Sequence, residues 1–133
     1  MATPDDRKYS KTHEWVKVLD NSEALLGVSH NVVNRLGYVV HIDLPDAEDE
    51  IVMDIPFGMI ESMQEVAKLM PPVDAVVLAA NDDLYSDMDA LGADPYGTGW
   101  LIKIRLLDMK QMDNLMTAKE YDRYMKSTAE GGK

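Results

Sequence analysis

The chain has no cysteine. That removes disulfides, thiolate nucleophiles and cysteine-ligated zinc or iron–sulfur centres from its chemistry. Aromatics are sparse at 7%, with a single Phe and two Trp. Long hydrophobic runs are missing too. No stretch approaches the roughly 18 apolar residues of a membrane-spanning helix, and Met1-Ala2-Thr3-Pro4-Asp5-Asp6 has neither the basic start nor the apolar core of a secretory signal. The expectation is a cytoplasmic protein. Positive charge is scarce as well, with 13 Lys+Arg against 24 Asp+Glu and a formal net charge of −11. Phosphate backbones and anionic lipid surfaces are held by clustered Lys and Arg, so neither nucleic acid nor membrane is expected as a partner.

What is present is a chain of 133 residues, 46% hydrophobic and 28% charged, which is enough apolar material for one folded domain despite the acidity. Between Asp43 and Asp94 stand 14 acids and one base, Lys68, so this segment carries −13. A charge so unevenly placed sets up a field on one region of the surface, although a solvated face alone would account for it equally well.

Strand patterns dominate the first hundred residues. Glu14-Trp15-Val16-Lys17-Val18-Leu19 and Ala24-Leu25-Leu26-Gly27-Val28 flank the turn residues Asp20-Asn21-Ser22 and predict a hairpin. In Val39 to Leu44 the alternation places Val40, Ile42 and Leu44 on one face with His41 and Asp43 on the other, until Pro45 ends the strand. Further strands are expected after Pro56, after Pro71-Pro72, and over Trp100 to Leu106 with Lys103 and Arg105 outward. Many short, frequently punctuated strands imply a sandwich or small barrel.

Helices are expected to be short and peripheral. Ser29 would cap a helix through Val32, Val33 and Leu36 that stops at Gly37. Asp108 would cap Met109 to Met116, and Thr117-Ala118-Lys119-Glu120 has the form of a capping box before Tyr121, Tyr124 and Met125. Residues 1–6 are expected as a flexible N-terminus, 7–126 as one domain that includes the C-terminal helix, and 127–133 as a flexible tail.

Few residues suggest independent catalysis. His13, His30 and His41 have no metal-ligand spacing. Glu48-Asp49-Glu50 and Asp82-Asp83 lack the alternating ligands and central Gly of a calcium loop, so solvated turns explain them better. There is no glycine-rich phosphate loop and no Gly-x-Ser-x-Gly elbow. No catalytic residue, metal or bound cofactor is expected. Met53, Met59, Met63 and Met70 read as core filling, apart from Met63, which stands at the tip of a hairpin expected between Phe57 and Met70.

Three stretches carry a family resemblance: Lys8-Tyr9-Ser10-Lys11-Thr12-His13-Glu14-Trp15-Val16, then Pro56-Phe57-Gly58-Met59-Ile60-Glu61-Ser62, then Asp94-Pro95-Tyr96-Gly97-Thr98-Gly99-Trp100-Leu101-Ile102-Lys103-Ile104. With Leu36-Gly37, Val39 to Pro45 and Lys119-Glu120-Tyr121, the chain closely resembles the H protein of the glycine cleavage system from about residue 7 to 125. The resemblance implies a mainly β, lipoyl-domain-like barrel-sandwich hybrid of two small antiparallel sheets with short peripheral helices and a C-terminal helix. It also implies a carrier rather than an enzyme. Family members bear lipoate on a hairpin-tip lysine, and the arm visits the decarboxylase, aminomethyltransferase and dihydrolipoamide dehydrogenase of the system.

The resemblance breaks at that tip. Where the family usually reads Glu-Ser-Val-Lys-Ala, this chain reads Glu61-Ser62-Met63-Gln64-Glu65. A carboxamide nitrogen is delocalised into its carbonyl and is not an acylation nucleophile. Lys68 lies four residues on, about 13 Å along an extended strand at about 3.3 Å per residue. It also stands where the family usually keeps an Asp that, with the residues matching Thr12 and Glu14, forms a cleft for the loaded arm; Lys68 is expected to pair with Glu65 or Glu61 instead. The reading is an H-protein-like interaction module for glycine-cleavage or lipoate-handling enzymes, without lipoate. Its alternative is a lipoyl carrier modified at Lys68, or one with Lys natively in place of Gln64.

Overall fold

The computed structural model describes residues 2–131. Nine strands, β1 (Lys8–Tyr9), β2 (Glu14–Asp20), β3 (Glu23–Val28), β4 (Val39–Asp43), β5 (Glu50–Ile51), β6 (Gly58–Ser62), β7 (Val66–Leu69), β8 (Ala75–Ala80) and β9 (Ile102–Leu106), form two antiparallel sheets. The larger has the order β1-β2-β3-β9-β8-β5 and the smaller β4-β6-β7. Four helices surround them: α1 (His30–Leu36), α2 (Asp83–Ser86), α3 (Asp89–Ala93) and α4 (Ala118–Gly131). This is the mainly β, two-sheet, lipoyl-domain-like architecture expected.

The β2–β3 hairpin turns at Asn21 and Ser22, whose φ values of 46° and 69° belong to the turn class whose twist matches that of paired strands. Along β9 the alternation holds, with Ile102, Ile104 and Leu106 buried and Arg105 exposed. In β4 it fails at one residue. Ile42 and Leu44 are buried, but Val40 is 39% exposed because the pairing with β6 slips between Val39 and His41. A bulge adds one residue to a period of two and so turns everything before it to the other face.

Two apolar clusters fill the space between and beside the sheets, one around Val28, Leu36, Ile42, Ile60 and Leu101, the other around Val16, Leu26, Val77, Ile102 and Ile104. A third, Tyr9, Trp15, Ala118 and Tyr121, docks α4. Gly27 is required opposite Trp15, since a Cβ there would stand 2.5 Å from the buried indole.

Several local expectations need correction. Ser29 precedes α1 but does not cap it; its hydroxyl bonds the Tyr121 hydroxyl at 2.8 Å. The segment after Asp108 is a 3-10 turn, Met109–Asn114, rather than a helix through Met116. Helices α2 and α3, too short for periodicity to reveal, were not anticipated. The Thr117/Glu120 box is present in both directions, at 2.9 and 3.2 Å. From it α4 continues through the stretch expected as a tail as far as Gly131, and residues 132–133 of that stretch lie outside the described residues, as does Met1. Near the other end the Thr3 hydroxyl donates to Asp122, and Asp6 pairs with Arg7 at 2.8 Å.

Candidate functional site

The β6–β7 hairpin pairs Gly58 with Leu69, Met59 with Lys68, Ile60 with Ala67 and Glu61 with Val66, leaving Ser62 to Glu65 as the turn. Ser62 builds that turn. Its N–H donates to the Glu65 carbonyl at 2.9 Å, and its hydroxyl oxygen accepts from the N–H groups of Gln64 and Glu65, each at 3.1 Å. A serine hydroxyl that satisfies two turn amides replaces the ladder bonds a strand would have made. Met63 and Gln64 are thereby left at the tip, Met63 with 74% of its surface exposed.

Opposite residues of adjacent strands share a face. His41, Glu61 and Val66 form one row on the outer face of the small sheet, and Asp43, Met59 and Lys68 the next. Ile42, Ile60 and Ala67 point the other way, into the core or its edge. Lys68 therefore lies on an open groove with Asp43, Pro56, Phe57 and Met59. Its expected pairing with Glu65 or Glu61 is not found among the described residues. Glu65 is bound instead by Arg35, whose Nε donates to Oε1 at 3.2 Å.

Thr12 and Glu14 do come together. Glu14 is 2% exposed. One carboxylate oxygen accepts from the hydroxyls of Ser10, at 2.9 Å, and Thr12, while the other accepts from the Met70 N–H at 3.1 Å. Burial outweighs these donors and pushes the Glu14 carboxyl up to about 7. Above it, Thr12 borders a cavity of about 360 Å³ walled by Tyr9, Met53, Met70, Pro71 and Met116. Lys68 is not part of this wall. Of the three positions expected to share a cleft, Thr12 and Glu14 are hydrogen-bonded to each other, but only Thr12 borders this cavity; Glu14 is buried behind it and Lys68 lies on the other groove.

Two of the three histidines serve structure. His13, at φ 78°, bonds the Tyr121 hydroxyl through Nδ1 at 2.9 Å, and His30 bonds the Tyr96 hydroxyl at 2.8 Å. Burial lowers the pKa of both. Among the described residues no group of three His, Cys, Asp or Glu could hold a metal, and no helix is long and apolar enough to cross a membrane.

Sequence reasoning missed the support behind the tip. The end of α1 stands against it: the Met63 N–H donates to the Tyr38 carbonyl at 3.1 Å, and the Gln64 side-chain nitrogen lies 3.7 Å from where a Cβ on Gly37 would be. The helix end at Leu36-Gly37 was legible, but nothing in the local pattern places it beside residues 63–65.

Known proteins share this scaffold. The family model described as "Glycine cleavage H-protein" matches residues 7–128. A glycine cleavage system H protein of Halothermothrix orenii is 38% identical over 125 residues, covering 94% of this chain and 97% of that protein. One from Bacillus velezensis is 39% identical over 122 residues, covering 92% and 95%. Among solved structures, a glycine cleavage system H protein from Mycobacterium marinum superposes with a TM-score of 0.81 at 26% identity, over 98% of this chain and 99% of that one. With the same two-sheet scaffold, and matching sequence over nearly its whole length, the chain belongs to the glycine cleavage H-protein family.

Proposed function

We propose that this chain is an H-protein-like interaction module that does not itself carry lipoate. The family carries lipoate as a covalently attached group and acts as a carrier rather than a catalyst. The observation that supports a different role here is the tip itself, where the turn between Glu61 and Val66 presents Met63 and Gln64 and contains no amine. By its place in the Glu61-Ser62-Met63-Gln64-Glu65 motif, Gln64 occupies the acceptor position. Its carboxamide cannot take an acyl group there, so the residues present do not fit the prosthetic group.

The cleft residues argue the same way. Thr12 and Glu14 match the family's arm-holding positions, but a carboxyl pushed up to about 7 is ionised only about half the time near pH 7 and offers a cationic arm a weakened counter-charge. Lys68, where an acid is usual, faces the outer side of the small sheet. What remains is the family's shape with an uncharged tip, suited to docking on glycine-cleavage or lipoate-handling enzymes. Lys68 also supports a second reading: it is an exposed amine without an ion pair among the described residues, and its acylation would make the chain a carrier.

Intact-mass analysis after co-expression with a lipoate ligase separates the two. The chain should keep its unmodified mass, and Gln64→Lys should gain one lipoyl group at the new amine. A lipoyl adduct on any native lysine would overturn the non-carrier reading.

A further inference from the structure

The hairpin tip and the end of α1 are joined by three contacts that sequence neighbours do not make. Met63 N–H bonds the Tyr38 carbonyl, the Gln64 side-chain nitrogen lies 3.7 Å from where a Cβ on Gly37 would be, and Arg35 pairs with Glu65 across thirty positions of chain. We propose that the Arg35–Glu65 pair is a clasp that holds the tip on the end of α1, so that Glu65 is a positioning residue for a preformed contact surface. The inference rests on the reading of this tip as a docking surface.

Geometry gives the clasp its leverage. A four-residue turn held only by its own two strands can tilt about them, and beyond the pairing of Ser62 with Val39 in β4 the Met63 bond ties the turn to the chain that follows α1. That bond also brings together Met63 and Tyr38, the two most exposed large apolar residues among the described ones, at 74% and 70%. Residues 35 and 65 sit on opposite sides of this tie, one inside α1 and one at the last position of the turn. Closing their ion pair spans the bond and restrains the tilt. An exposed pair contributes little to global stability. It need not, because its effect is on orientation, and a contact surface ordered before binding loses less entropy on docking.

Hydrogen exchange of the Met63 amide reads the clasp directly. Glu65→Gln and Arg35→Gln should each speed that exchange about two- to five-fold, the range of an exposed ion pair, and the double variant should match the singles rather than multiply them. The Leu101 amide, bonded to the Leu26 carbonyl in the core, should keep its rate in all four proteins. In a Gln64→Lys background, Glu65→Gln should raise the KM of a lipoate ligase by a similar factor at unchanged kcat, and the swapped pair Arg35→Glu with Glu65→Arg should restore both readouts. Unchanged Met63 exchange in the single variants, or multiplied effects in the double, would overturn the clasp. Coupled exchange with no acylation of Gln64→Lys would leave the clasp standing and overturn the H-protein reading of the tip.

Discussion

Glu14 is the residue whose environment most changes its chemistry. An ionised carboxylate held in a site this closed loses its water, and two hydroxyls and one N–H do not fully replace it. The folded state holds the proton up to about pH 7, whereas the unfolded chain releases it near 4.5. Between those values the unfolded state binds fewer protons, so this group's contribution is complete below about pH 4.5, falls as pH rises, and is constant again above about 7. The difference amounts to ~3 kcal/mol at 1.36 kcal/mol per unit. Glu14→Gln keeps an acceptor and removes the titration. Urea unfolding of both proteins from pH 4 to 8 should show a stability difference that drifts in the variant's favour across that window and nowhere else; parallel curves would mean that Glu14 is solvated.

At the scale of elements, β2 and β3 are held so close that one side chain of one occupies the space over the backbone of the other. Trp15 is fully buried and its Nε1 donates to the Val28 carbonyl at 3.0 Å, so the indole cannot swing away from Gly27. Gly27→Ala therefore forces the strands apart and should cost about 1–3 kcal/mol, the usual range for overpacking a filled core. A shifted denaturation midpoint at unchanged slope would show it. Helix α4 is docked through Ala118 and Tyr121. Tyr121 stacks on Tyr9 with centroids 4.8 Å apart, and its hydroxyl meets Ser29 and His13. Tyr121→Phe keeps the stack but strands the fully buried Ser29 hydroxyl, a loss of about 1–3 kcal/mol. Near-ultraviolet circular dichroism should still report a docked α4.

Over the whole molecule the charge is an acidic field rather than a set of pairs. Twelve of the 14 acids between Asp43 and Asp94 are exposed, and the ion pairs among the described residues involve only Glu65 from that segment. Like charges at such density repel more in the folded than in the expanded chain. Raising salt from 0.01 to 1 M shortens the screening length from about 30 to about 3 Å, so the melting temperature should rise with NaCl. A fall would show that the surface ion pairs outweigh the self-repulsion.

The amino-acid sequence by itself determined the strand alternation, the capping box at Thr117, the family motifs and the absence of an amine between Glu61 and Val66, because each is written in neighbouring residues with a period of two or of a helical turn. Tertiary structure decided the rest. The bulge that exposes Val40 exists only in the pairing of β4 with β6, and the face on which Lys68 stands follows from its register with Met59 and Asp43. Burial of Glu14 needs Met70, 56 positions away, to arrive at its carboxylate. The contact of Arg35 with Glu65 likewise comes from bringing a helix end to a hairpin tip. Local pattern states which way a side chain leaves its own strand, and only packing states what it meets there.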